Sequence, residues 1–212
     1  NNTAVGNAAL AANTTGTRNV AVGSGALDAN TTADNNTAVG DQALGANTTG
    51  ADNVAIGRNA MIANTTTSNN VAVGRSALQQ NTADNNTGIG RDALAANTSG
   101  TNNTAVGANA GDANTTGDNN TAIGQDALTD NTSGVDNTGC GVAALYDNTT
   151  GVHNAALGKD ALRENVSGNY NVAVGSSAMN SCGNGSNNVA LGYSSLFNNT
   201  GSNNTAVGYD SM

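Results

Sequence analysis

Residues 36–52 read NTAVGDQALGANTTGAD, and this stretch decides the architecture because the whole chain repeats it. The pattern N-[T/V]-A-[V/I]-G-x-x-A-L-x-x-N-T-[T/S]-G-x-x occurs in thirteen copies, whose starts lie 17 residues apart ten times and 16 apart twice. We number the repeat positions 1 to 17 from the first Asn of each copy. Asn at position 1 and Gly at position 5 are invariant among the copies, and position 12 is Asn in eleven of twelve.

A repeat of this length and composition predicts an all-β parallel β-solenoid with one repeat per coil. Helical-hairpin repeats need about twice 17 residues, and Asn, Gly and β-branched residues are weak helix formers. Positions 2 to 4 favour a strand that ends at the glycine, and N-T-[T/S]-G is turn chemistry. Residues 1–212 then form a single domain of about 12.5 coils. Coils stacked about 4.8 Å apart give a rod about 57 Å long. The 16-residue coils, 70–85 and 188–203, each lose a residue after position 12, where we expect a loop.

Stacking places equal repeat positions in ladders along the rod. Positions 4 and 9 form two apolar ladders, and positions 1 and 12 form two Asn ladders that hold 24 of the 39 Asn residues. We expect the stacked amides to hydrogen-bond along the axis, and we expect these Asn residues to supply left-handed backbone at tight corners. Ala at position 3 and Gly at position 5 would let another backbone approach closely. One apolar ladder is expected to fill the roll and the other to face a second copy, but the sequence does not say which.

Composition excludes several classes of function. The chain has a net charge of −9 with only six basic residues, which argues against nucleic-acid binding, and no apolar run approaches the length of a membrane span. His153 is the only histidine, so we expect no enzyme activity, no metal site and no cofactor. The aspartates look scattered, without a ladder. Cys140 and Cys182 lie two coils apart, about 9.5 Å along the axis, so we expect two free thiols.

The repeat resembles a known family of surface proteins. The motifs NNTAVGNAAL, NVAVGSGAL and NTAIGQDAL resemble the head repeats of YadA-like trimeric autotransporter adhesins, and the 17-residue form with its N-T-T-G turn is similar to repeats of bacterial and phage tail-fibre-domain proteins. The resemblance implies a left-handed β-roll assembled as an intertwined homotrimer. It also implies an extracellular place, on a cell surface or a virion fibre, and a structural and adhesive rod that attaches multivalently to a surface glycan or another receptor. Because the chain opens on Asn1 and stops inside a repeat at Met212, we expect it to be a segment of a longer fibrous protein.

Two departures from the repeat mark candidate contact residues. Position 6 carries arginine on three consecutive coils, at Arg58, Arg75 and Arg91. This ladder is either a solvated edge, balanced by Asp41, Asp92 or a neighbouring subunit, or an anion site for acidic glycans or lipid phosphates. The second departure is a set of aromatic residues confined to the C-terminal third, which we interpret as a cap or junction, or as ligand contacts: Tyr146, Tyr170, Tyr193, Phe197 and Tyr209.

Two further interpretations concern the corner at position 17 and the faces that bear Thr and Asn. Asp136, His153 and Tyr170 share position 17 on successive coils and should stack, which we interpret as a solvated corner. An alternative function is ice binding, because faces that bear Thr and Asn suit ordered water. Against it, the Thr residues at positions 13 and 14 are adjacent and lie in a turn, whereas ice-binding solenoids favour T-x-T on a strand.

Overall fold

The computed structural model describes residues 1–212 and shows an all-β parallel solenoid with no helix. Thirteen three-residue strands pair in sequence order in a single parallel sheet, one strand per coil. The strands are β1 (Thr3–Val5), β2 (Val20–Val22), β3 (Thr37–Val39), β4 (Val54–Ile56), β5 (Val71–Val73), β6 (Thr87–Ile89), β7 (Thr104–Val106), β8 (Thr121–Ile123), β9 (Thr138–Cys140), β10 (Ala155–Leu157), β11 (Val172–Val174), β12 (Val189–Leu191) and β13 (Thr205–Val207). The predicted all-β parallel β-solenoid, with one repeat per coil, is confirmed. No helix of the structure has the length and apolar character needed to cross a membrane.

Strand register is uniform along the rod. Equal repeat positions face each other, as in Thr37 with Val54, and the 16-residue coil keeps the same phase, since Val71 pairs with Thr87. The turn accommodates the missing residue. The side-chain amide of Asn81 donates to the carbonyl oxygen two residues later, whereas in a 17-residue coil the amide of Asn64 donates to the carbonyl oxygen three residues later. The prediction that a loop absorbs the deletion is confirmed.

The core is narrow and consists of small side chains plus one large one per coil. In the coil that starts at Asn36, the buried apolar residues are Ala38, Ala43 and Leu44, at positions 3, 8 and 9, each with no exposed surface. Position 9 is therefore the ladder that fills the roll. Ala38 at position 3 faces the interior of its own roll. The expected close backbone approach occurs at position 5, between coils of the same chain: a Cβ on Gly40 would lie 2.6 Å from the carbonyl oxygen of Gly57.

Left-handed backbone lies at positions other than those expected. Asn36 and Asn47, of the two Asn ladders, do not have positive φ, whereas Gln42, Leu44 and Asp52 do, at 58°, 50° and 59°. The left-handed conformation costs a leucine about 1–2 kcal/mol. Full burial of its side chain contributes about 1.5–3 kcal/mol, which offsets the cost. The ladder Asn residues are thus required for their side-chain hydrogen bonds and not for backbone conformation.

The predicted Asn ladders are confirmed: hydrogen bonds join every coil at position 1, and at position 12 they join most coils, with a break between Asn64 and Asn81. At position 12 the amide of Asn47 donates to Oδ1 of Asn30, 3.1 Å away in the neighbouring coil. At position 1 the backbone N–H of Asn36 donates to Oδ1 of Asn19 at 2.9 Å. The carbonyl oxygen of Gly50 accepts from the side chains of both Asn36 and Asn47, which ties the two ladders together. No buried side-chain nitrogen or oxygen lacks a partner, so the polar interior is fully satisfied.

Candidate interaction surfaces

An apolar stripe runs along the outside of the sheet. We call it the position-4 stripe, and its members are Val5, Val22, Val39, Ile56, Val73, Ile89, Val106, Ile123, Cys140, Leu157, Val174, Leu191 and Val207. Their side chains are half-buried or exposed; Ile56 is 40% and Leu157 53% exposed. Position 2 flanks the stripe with Thr, Val or Ala, so this face carries no charged residue. The stripe is the second apolar ladder of the sequence, and it is the one that points away from the core.

The structure brings Arg75 and Arg91 together on one carboxylate. Nη2 of Arg75 and Nη1 of Arg91 both lie 3.0 Å from Oδ2 of Asp92, and Nη2 of Arg91 also donates to Oδ1 of Asn109 at 3.0 Å. Arg58, the third member of the ladder, makes no ion pair, and Asp41 pairs with none of the three. One carboxylate thus pairs with two of the three arginines, and the paired arginines remain about half exposed, at 47% and 53%.

The five C-terminal aromatic residues do not form one surface. Tyr193 and Tyr209 stack at position 6 with ring centroids 5.1 Å apart. Phe197 lines a hollow beside Tyr193, together with Leu196 and Met212. Tyr170 stacks on His153 at position 17, and the Tyr146 ring lies 5.5 Å from the guanidinium carbon of Arg163 at position 10. The aromatic residues therefore lie at three different edges of the solenoid.

The position-17 corner has the expected stacking. The ring centroids of His153 and Tyr170 lie 4.9 Å apart, and Nδ1 of His153 lies 3.6 Å from Oδ2 of Asp136. The side chains of Asp136 and His153 are 40% and 44% exposed, as a solvated corner requires.

The solenoid carries a ladder of acidic residues that we did not predict from the sequence. Asp130, Asp147 and Glu164 occupy position 11 on three consecutive coils. The prediction that the aspartates form no ladder considered Asp alone, and Glu164 extends the pair Asp130 and Asp147 to a third coil. Reading Asp and Glu together as one class at each repeat position would have found it. Burial and the nearby Asp130 carboxylate raise the pKa of Asp112. The same two causes raise the pKa of Asp147, which Arg163 partly opposes. No three or more His, Cys, Asp or Glu side chains form a group with metal-binding geometry.

The two cysteines are free thiols in different environments, as predicted. Cys140 belongs to the position-4 stripe and is half-buried. Cys182 replaces Asn at position 12 and has no exposed surface; its Sγ lies 3.5 Å from Oδ1 of Asn165. Burial raises the pKa of the Cys182 thiol to about 12. The thiol therefore stays protonated and takes the place of an amide donor in the ladder.

Comparison with known proteins gives no assignment. No protein-family model matches the chain, and no curated protein matches it significantly.

Proposed function

We propose that the chain forms the shaft of a homo-oligomeric fibre, with copies packed through the position-4 stripe, and that this rod has a structural and adhesive role on a cell surface or virion. The observation that carries the proposal is the apolar stripe itself. The interior is already filled by Ala and Leu, so the stripe has no partner within its own chain. A contiguous apolar surface of this length is rare on a monomeric protein and marks an interaction site.

The period of the stripe favours a second copy of the chain as its occupant. Side chains recur at the interstrand spacing, about 4.8 Å, over all thirteen strands. A second parallel solenoid has the same spacing along its whole length and therefore matches the stripe. Branched residues dominate both position 4 and the flanking position 2, so two such faces can interdigitate without burying a charge.

The resemblance to YadA-like heads and tail-fibre-domain repeats supports a trimer. In such an assembly three chains run side by side about a shared axis, and each weak contact to a receptor is multiplied into avidity. Extended solenoids offer long surfaces, which suits a structural role better than an enzymatic one.

Crosslinking through Cys140 tests this arrangement. If copies lie parallel and in register about an axis, the Cys140 residues of neighbouring subunits lie close together, because every coil meets its own equivalent. A short thiol-specific crosslinker should then give a covalent dimer from each oligomer, and Cys140→Ser should abolish it. Buried Cys182 provides no competing thiol. A wild-type chain that stays uncrosslinked while Cys140 reacts freely with a monofunctional reagent would contradict the parallel arrangement.

Ice binding is the alternative function, because faces that bear Thr and Asn suit ordered water. At position 13 the threonine hydroxyl groups already donate hydrogen bonds within the chain. Oγ1 of Thr48 donates to the carbonyl oxygen of Thr65 at 2.9 Å, and Oγ1 of Thr115 donates to the carbonyl oxygen of Thr132 at 2.8 Å. Hydroxyl groups held in this way offer only acceptor sites to ordered water. Measurement of thermal hysteresis separates the two functions, because a shaft has none.

A further inference from the structure

The turn formed by Cys182, Gly183, Asn184 and Gly185 departs from every other turn of the chain. Elsewhere position 14 is filled mostly by Thr or Ser, as in Thr49 before Gly50, but here it is Asn184, and a glycine stands on each side of it. The pair Asn184–Gly185 is the only Asn–Gly dipeptide among the 39 Asn residues. We propose that Asn184 is a site of spontaneous deamidation, the most labile amide in a chain whose ladder Asn residues are buried and hydrogen-bonded.

The reaction needs no partner other than water. The backbone nitrogen of Gly185 attacks Cγ of Asn184, a new C–N bond closes a five-membered succinimide ring, and the side-chain nitrogen leaves as ammonia with the proton of the attacking nitrogen. Water then opens the ring at either carbonyl, which gives aspartate or isoaspartate. A following glycine favours the attack because it has no side chain to shield its nitrogen and because its backbone is the most permissive.

The structure places Asn184 where this attack is feasible. Its side chain is exposed, and Gly183 before it adopts φ of 57°. Oγ of Ser167 donates to Oδ1 of Asn184 at 3.0 Å, which polarises the carbonyl and stabilises the negative charge that develops on this oxygen during attack. The N–H of Gly185 donates to the carbonyl oxygen of Cys182 at 3.2 Å, a single long hydrogen bond that must open first.

The ladder Asn residues are protected by the same features that build the fold. Asn47 is fully buried, its amide nitrogen donates to two acceptors, and the next residue is Thr48. Loss of the Asn47 side-chain nitrogen as ammonia would break both of these hydrogen bonds, and the packed core holds the side chain in the geometry that makes them. In the other coils position 14 is Thr or Ser, or is absent in the 16-residue coils, so no Asn precedes a glycine there.

Deamidation at this turn would loosen the coil that contains it. The carbonyl oxygen of Gly185 accepts from the buried amide of Asn171 at 2.8 Å. Isoaspartate adds one carbon to the backbone just before that carbonyl and moves it out of place. We therefore expect the thiol of Cys182, three residues before Gly185 and fully buried in the intact chain, to become reactive after deamidation.

Ageing of the purified chain in mildly alkaline buffer at physiological temperature tests the proposal, with peptide mapping for isoaspartate and thiol labelling of Cys182. We expect isoaspartate to form first at Asn184 and labelling to rise in parallel. Asn184→Thr, which restores the usual repeat residue, should abolish both signals.

Thr116→Asn provides a matched positive control, because it places the same dipeptide in a regular turn at an exposed position before Gly117. Reaction at Asn184, with or without reaction at the introduced residue, supports the proposal. Faster loss of ammonia from any other native Asn, reaction only at the introduced residue, or an unreactive chain would overturn it.

Discussion

The side-chain amide of Asn47 donates to the side-chain oxygen of Asn30, 3.1 Å away, although 17 positions separate the two residues in sequence. The relationship recurs along the rod, for example between Asn64 and Asn47 at 3.2 Å and between Asn131 and Asn114 at 2.8 Å. Each amide is both donor and acceptor, so a change at one coil is felt by the coils on either side.

Asn47→Ala is expected to lower the free energy of unfolding by about 1–3 kcal/mol, because it removes the only side-chain acceptor of the buried Asn64 amide in the neighbouring coil. Chemical denaturation measures the change. Thr49→Ala, at an exposed position two residues later, is the control and should shift stability by less than about 0.5 kcal/mol. Equal effects of the two substitutions would show that the ladder contributes nothing beyond a surface residue.

Substitution of the position-9 ladder should abolish folding of the chain itself. Leu44→Asp, Leu78→Asp and Leu94→Asp together place three carboxylates in an interior that has almost no exposed surface at these residues. Circular dichroism should then lose the β signal. The matched control is the triple Leu→Met variant, since Met61 and Met179 already occupy this position in other coils and the side chains have similar volume. A folded triple Asp variant would mean that position 9 is not the core.

Asp112→Asn is expected to stabilise the protein near neutral pH. Burial and the neighbouring Asp130 carboxylate raise the pKa of Asp112, so the folded chain binds this proton more tightly than the unfolded chain does. The ionised carboxylate therefore costs stability above its folded pKa, and the cost disappears as the pH falls towards about 4. Thermal melts of both chains across this range check the sign. A difference that grows as the pH falls would contradict it.

The arginine ladder is expected to bind anionic surfaces in spite of the net charge of −9. Screening confines electrostatic attraction to about 8–10 Å at physiological salt. Binding to an anionic surface therefore depends on the local surplus of positive charge and not on the net charge of the chain. Binding to vesicles of acidic lipid and to sulfated-glycan resin should weaken with added salt and vanish when Arg58, Arg75 and Arg91 are all changed to Gln. Arg18→Gln, on another edge, should leave it unchanged. Equal binding by wild type and the triple variant, or none at low salt, would make the ladder a solvated edge.

The period of the sequence predicted the coil, the strand and the ladders, because each depends only on residue type at a fixed repeat position. It did not predict which apolar ladder lies inside. Val39 and Leu44 are both apolar, and the chain between and at these residues includes left-handed backbone at Gln42 and Leu44, which residue type does not signal. The acidic ladder at position 11 was missed because it mixes Asp147 with Glu164. Contacts of the variable positions, such as Arg75 and Arg91 on Asp92, depend on side-chain rotamers and required the structure.

The mass of the chain in solution tests the central claim, that the position-4 stripe is buried between copies. Sedimentation equilibrium should give three times the 20.6 kDa mass of one chain. The variant Ile89→Thr, Val106→Thr, Ile123→Thr keeps β-branched residues on the strands and should fold but dissociate. A wild-type chain that remains at the mass of a single copy at every concentration, or a variant that associates as well as the wild type, would contradict the account.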